Sequence, residues 1–124
     1  FMFPLQGFGK MSGKNNEQEF PEIIALCGST KFKEQFEHAN RALTLEGKLV
    51  ISVGVFGHSD SIQLTQKQKE RLDALHRWKI DLADNIIVID VDGYIGESTQ
   101  EEIRYAKKQR KGIYHYSQYS FAVE

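Results

Sequence analysis

Three glutamates, Glu97, Glu101 and Glu102, crowd the segment IVIDVDGYIGESTQEEIRYA, where an apolar run crosses a glycine-rich turn into an acidic helix start. A carboxylate in such a place can stabilise a developing cation or attack an electrophilic carbon. It can equally do no more than begin a helix. Acids in a first turn are favoured by the helix dipole, and Ser98 with Glu101, or Thr99 with Glu102, fits the S/T-x-x-E capping box. Glu102 is set apart by Ala106, four positions on, which places a small side chain beside the carboxylate on one helix face.

Two further stretches carry groups suited to a ligand. In CGSTKF, residues 27 to 32, a strand ends at Gly28, and Ser29 or Thr30 offers a hydroxyl where a helix begins. Free amides and the helix dipole suit such a turn to a phosphate or a sugar hydroxyl, although Ser29 or Thr30 is equally an ordinary N-cap. In GVFGHSDS, residues 54 to 61, His58 can donate to a ligand oxygen, or the segment is a surface turn built by Gly57, Ser59 and Asp60. The four histidines show no metal-ligand spacing such as H-E-x-x-H, so no metal or other cofactor is expected. No G-x-S-x-G elbow is present to support a serine triad.

The elements that must position these groups follow from alternating apolar runs. IIALCGS (23 to 29), KLVISVGVF (48 to 56), NIIVIDVD (85 to 92) and GIYHYS (112 to 117) read as strands. Between them lie a helix with Phe32, Phe36, Ala39 and Leu43 on one face, a second from about Thr65 to Ala83 with Leu72, Leu75, Trp78 and Leu82 on one face, and a third from about Ser98 to Lys111. Strand and helix alternating four times imply an α/β fold: a small flavodoxin-like or Rossmann-like three-layer sandwich with a parallel sheet of four to five strands. Ligands bind such sheets at the carboxyl ends of the strands, which directs attention to residues 28 to 31, 54 to 62 and 92 to 101.

Composition narrows the function. Sixteen basic against seventeen acidic residues speak against general nucleic-acid or anionic-membrane binding. One cysteine, Cys27, rules out an intrachain disulfide framework and points to a reducing, cytoplasmic setting. Residues 1 to 20, opening on Phe and rich in polar residues and glycine, read as a loose leader, partly an added or truncated segment, ahead of a single domain over 21 to 124.

Taken together, IIALCGST, LADNIIVIDVDGYIGEST and TQEEIRYA resemble the nucleoside 2-deoxyribosyltransferase superfamily, which includes the 2′-deoxynucleoside 5′-monophosphate N-glycosidases. The similarity covers residues 22 to 117, and its most specific part runs from Ala83 to Ala106. It implies cleavage or transfer at the N-glycosidic bond of a nucleoside or nucleotide, with Glu102 as nucleophile. It implies Gly28 and Ser29 at the sugar or phosphate, with Ser98 and Thr99 opposite, while Thr30, His58 and Gly96 are substrate-binding candidates from their own loops. His76 stands where the N-glycosidases carry an Asp, so either His76 or Asp73, one turn earlier, supplies the acid, or the activity is altered or lost. Ala25 stands where those enzymes carry an aromatic residue. Two alternatives remain: a phosphoribohydrolase of the cytokinin-activating type, which STQEE loosely resembles although its PGG run is missing, and a nucleotide-binding module without turnover. The chain has only QYSFAVE after Ser117, so a fifth strand and last helix are expected to be reduced, and a homo-oligomer, dimer or higher, is expected to supply the missing burial.

Overall fold

The computed structural model describes residues 19–122. The leader expected over residues 1 to 20 therefore lies almost wholly outside the described residues. Four strands, β1 (Ile23–Gly28), β2 (Leu49–Ile51), β3 (Asn85–Ile89) and β4 (Gly112–His115), form one parallel sheet in the order β2-β1-β3-β4. Three helices connect them: α1 (Lys33–Leu45), α2 (Gln66–Leu82) and α3 (Glu97–Lys108). This is the expected α/β sandwich of Rossmann-like or flavodoxin-like type, and its sheet has four strands among the described residues.

Alternation along the two central strands builds both cores. Ile24, Leu26, Ile87 and Ile89 point to one face and meet Phe36, Ala39 and Leu43 of α1. Ala25, Cys27, Ile86 and Val88 point to the other and meet Ile80 and Ala83 at the end of α2 and Ala106 of α3. Because β1 continues to β2 on one side, and the chain then crosses to β3 on the other, the strand order switches beside β1. A crevice opens there, beyond the ends of β1 and β3. Gly28 pairs with Ile89 at that mouth, and a Cβ on Gly28 would lie 2.9 Å from the Ile89 carbonyl oxygen. Only glycine lets the two strand ends come so close.

Several local expectations are corrected. β2 pairs over only three residues, so Val53, Gly54 and Val55 leave the sheet and become a wall of the crevice. The apolar row of α2 faces outward: Leu75, Trp78 and Leu82 are 46%, 66% and 53% exposed, while His76 and Ile80 are buried. Residues 76, 80 and 83 form a helical row of their own, and that row reaches the small side chains Ala25 and Cys27 on the sheet. Neither Ser29 nor Thr30 caps α1, whose N-cap is Phe32 with no side-chain hydrogen bond. The capping boxes expected at Ser98 or Thr99 are likewise absent, because α3 starts at Glu97 behind an extended Gly96 and both hydroxyl residues already lie in its first turn. A capping box does form on α2, where Thr65 and Gln68 bond each other's backbone amides.

Candidate active site

A cleft of about 850 Å³ occupies the switch point. Its walls come from the end of β1 and the loop after it, the loop between β2 and α2, one side of α2, the loop after β3 and the first turns of α3. All ten residues nominated from sequence line it: Gly28, Ser29, Thr30, His58, Asp73, His76, Gly96, Ser98, Thr99 and Glu102. Thr99 does so from a buried position, whereas Ser98 is exposed.

One rim is a network of satisfied polar groups. The Thr30 hydroxyl lies 2.8 Å from His58 Nδ1 and accepts from the His58 amide at 3.3 Å, while the Ser59 hydroxyl donates to the Thr30 carbonyl at 2.9 Å. Lys33 pairs with Asp60 at 2.9 Å, and the Phe56 ring packs edge-on against Phe36 with centroids 5.4 Å apart. The loop after β2 is thereby tied to the start of α1, which is why Thr30 is not free to cap the helix. At the mouth, Lys31 Nζ sits 3.7 Å over the ring of Tyr94, and Tyr94 meets Phe32 edge-on. That cation–π contact holds the loop after β3 against the loop after β1.

The opposite wall is built differently. α2 carries His76, which is 8% exposed, and α3 carries Glu102, whose Oε1 lies 3.5 Å from His76 Nε2. Glu102 Oε1 is buried and finds no hydrogen-bond partner among the described residues. Burial raises the Glu102 carboxyl to about 7, with the neighbouring Asp73 charge adding to the effect. Burial lowers His76 to about 4, with Lys79 in support. Near neutral pH His76 is therefore neutral and Glu102 is divided between acid and carboxylate, so their 3.5 Å approach is not a full ion pair. Asp73 is half-exposed and pairs with Lys69 at 3.4 Å. Lys79 donates to the Ser52 carbonyl at 2.9 Å, joining α2 to the loop after β2.

Sequence reasoning did not nominate Lys69, Lys79, Cys27 or Tyr94. Lys69 and Lys79 were in principle accessible, standing four before Asp73 and three after His76 on the same helix. Cys27 carried no such signal. Its Sγ, His76 Nε2 and a Glu102 carboxylate oxygen all lie within 4.8 Å of one another, from three different elements. Ligand spacing along the chain, the ground for expecting no metal, has no means of registering such a group.

The arrangement thus has three parts: an amide- and hydroxyl-lined edge at Gly28, Ser29, Gly96 and Ser98, a tied polar loop, and a desolvated carboxyl group facing the space between them. This defines an α/β protein with a switch-point cleft holding one strongly perturbed acid. The chain matches no protein-family model and no curated protein.

Proposed function

We propose that the cleft cleaves or transfers at the N-glycosidic bond of a deoxynucleoside, nucleoside or nucleoside 5′-monophosphate, with Glu102 as the nucleophile. The observation that carries this reading is the Glu102 carboxyl group, which lines a cleft large enough for a nucleotide while its inner oxygen, Oε1, is buried and unpartnered among the described residues. In its ionised form Glu102 attacks C1′ as the base departs with the bond's electron pair, and the positive charge on the sugar is neutralised by the carboxylate. Water arriving at C1′ releases the sugar and restores the carboxylate, giving hydrolysis; a second base arriving there gives exchange. The hydroxyl and amide edge at Ser29, Gly96 and Ser98 suits a 5′-phosphate or sugar hydroxyls.

His76, neutral near pH 7, is a positioning residue in this scheme: it holds Glu102 and keeps water from its inner oxygen. Asp73 and Glu97 also line the cleft, and half-exposed Asp73 is the group we assign to relay a proton from solvent to the leaving base. A second copy of the chain is proposed to pack on the outward row of Leu75, Trp78 and Leu82, since Leu75 belongs both to that row and to the cleft wall. A reducing, cytoplasmic setting fits a single buried thiol.

The test is a panel of ribo- and deoxyribonucleosides and their 5′-monophosphates, scored for free base by chromatography. Release from at least one of them, lost in Glu102→Gln, is expected; turnover unchanged in that variant would sink the assignment. Release from ribonucleotides alone would favour the phosphoribohydrolase reading. The lowered pKa of His76 favours one other outcome, a binding module: nucleotide binding by calorimetry with no free base after long incubation.

A further inference from the structure

We propose that Cys27, His76 and Glu102 together bind a single divalent cation of the zinc type at the floor of the cleft. The three side chains converge from β1, α2 and α3, with Sγ 3.2 Å from His76 Nε2 and that nitrogen 3.5 Å from Glu102 Oε1. A tetrahedral zinc ion, with bonds of about 2.3 Å to sulfur and about 2.0–2.1 Å to nitrogen and oxygen, spaces its donors by roughly 3.3–3.6 Å. Two of the spacings already lie near that range. The sulfur–oxygen pair, within 4.8 Å, closes by a swing of the Glu102 side chain.

Three physical points favour this occupant. Glu102 Oε1 offers a lone pair that no protein donor uses, so an ion there breaks no hydrogen bond to that oxygen and takes the place of the proton between Cys27 and His76. One thiolate and one carboxylate balance the charge of a dication, so the filled site is neutral in a position where a lone charge is costly. The donor set of sulfur, nitrogen and oxygen selects zinc and its neighbours over magnesium and calcium, which take oxygen ligands. Binding is written as loss of the Cys27 thiol proton, and of the Glu102 proton where present, to solvent, with the imidazole bound as its neutral form. Three protein donors leave a fourth position for water or another ligand, the pattern of an open rather than a closed site.

Occupancy also has a consequence that rests on the reading given under Proposed function: an ion on Oε1 withdraws charge from, and fixes, the carboxylate that attacks C1′. Zinc therefore switches the glycosyl chemistry off, and chelation restores it.

Cobalt(II) titration of the chelator-stripped, untagged full chain is the test. Cys27 is the chain's single cysteine, so thiolate-to-cobalt charge-transfer absorption reports that residue alone. We expect the band to saturate at one cobalt per chain, to disappear on adding zinc, and to be absent in Cys27→Ser. We also expect cobalt affinity to fall at least tenfold in His76→Gln and in Glu102→Gln. No charge-transfer band in the wild-type protein at stoichiometric cobalt overturns the proposal without recourse to any variant; so does full affinity in His76→Gln. Base release is then measured with and without zinc. Suppression of at least tenfold is expected, and release unaffected by saturating zinc overturns the switch. If the stripped protein releases no base from any nucleotide, the glycosidic reading fails while the cobalt spectrum still decides the metal site.

Discussion

Asp90 and Glu102 are both withdrawn from water near the carboxyl ends of the strands, yet the fold treats them in opposite ways. Asp90, directly after β3, accepts from the Ser117 amide and the Ser117 hydroxyl, each at 2.8 Å, and has His115 Nδ1 at 3.5 Å. Its carboxylate is fully used in fixing the chain beyond β4 to the sheet. Glu102 has its inner oxygen unpartnered, a neutral imidazole at 3.5 Å, and a carboxyl raised to about 7. A structural carboxylate is stabilised by its surroundings, whereas one held for chemistry is kept reactive by lacking that stabilisation. The difference is what supports the proposed assignment of Glu102, and not Asp90, as the nucleophile.

Exchanging the two for neutral side chains should break the comparison most visibly. Glu102→Gln is expected to lower kcat for base release by about a thousandfold or more, the scale seen when a nucleophile is removed, while leaving the protein folded. Asp90→Ala should do the reverse. Stranding the Ser117 donors should lower unfolding free energy by about 2–4 kcal/mol in urea melts. Turnover per folded molecule should change by less than tenfold.

The pH dependence of stability sharpens the contrast. Glu102 is raised from 4.5 to about 7, so the folded state binds more protons than the unfolded state between those values. Its contribution therefore falls as pH rises through that window, by about 3 kcal/mol in all. His76 is lowered from 6.5 to about 4, so the unfolded state binds more protons there, and its contribution rises with pH by about 3 kcal/mol. From pH 4.5 to 6.5 the two nearly cancel. Glu102→Gln should expose a stability that climbs with pH, and His76→Asn one that declines, both read from denaturant midpoints. Identical slopes in both variants would contradict the paired assignment. The rate of base release, which needs the carboxylate, should rise with pH through about 7 in the wild-type protein.

The smallest effect is expected at the satisfied rim. Thr30→Val removes the hydroxyl that bonds His58, and should cost about 1 kcal/mol of stability while raising KM a few-fold with little change in kcat. A loss in kcat as large as that of Glu102→Gln would show that the two walls of the cleft do not divide their roles as described.

Much of the fold was legible because strand and helix patterns alternate and because β1 and β3 are unbroken apolar runs bounded by turns. The position of the cleft followed from topology alone. Orientation was not legible. Leu72, Leu75, Trp78 and Leu82 are as good an amphipathic row as 76, 80 and 83, and only the small side chains opposite, Ala25 and Cys27, decide which row turns inward. The caps at Ser29 and Thr30 failed for a related reason, whereas those at Ser98 and Thr99 failed because α3 begins before them, at Glu97. A hydroxyl at a helix start bonds whichever donor or acceptor the tertiary fold delivers, and for Thr30 that is the loop at His58. Glu102 could be singled out by Ala106, but its desolvation beside His76 and Cys27 arises from three elements meeting and leaves no trace in local spacing.

Carbon-13 NMR titration of the side-chain carboxyl groups tests the central claim most directly. With Glu102 assigned through the Glu102→Gln spectrum, a midpoint near 7 is expected, far above that of an ordinary glutamate. A Glu102 midpoint at the ordinary 4.5 would contradict the account, because the fold would then hold that carboxylate no differently from a surface one.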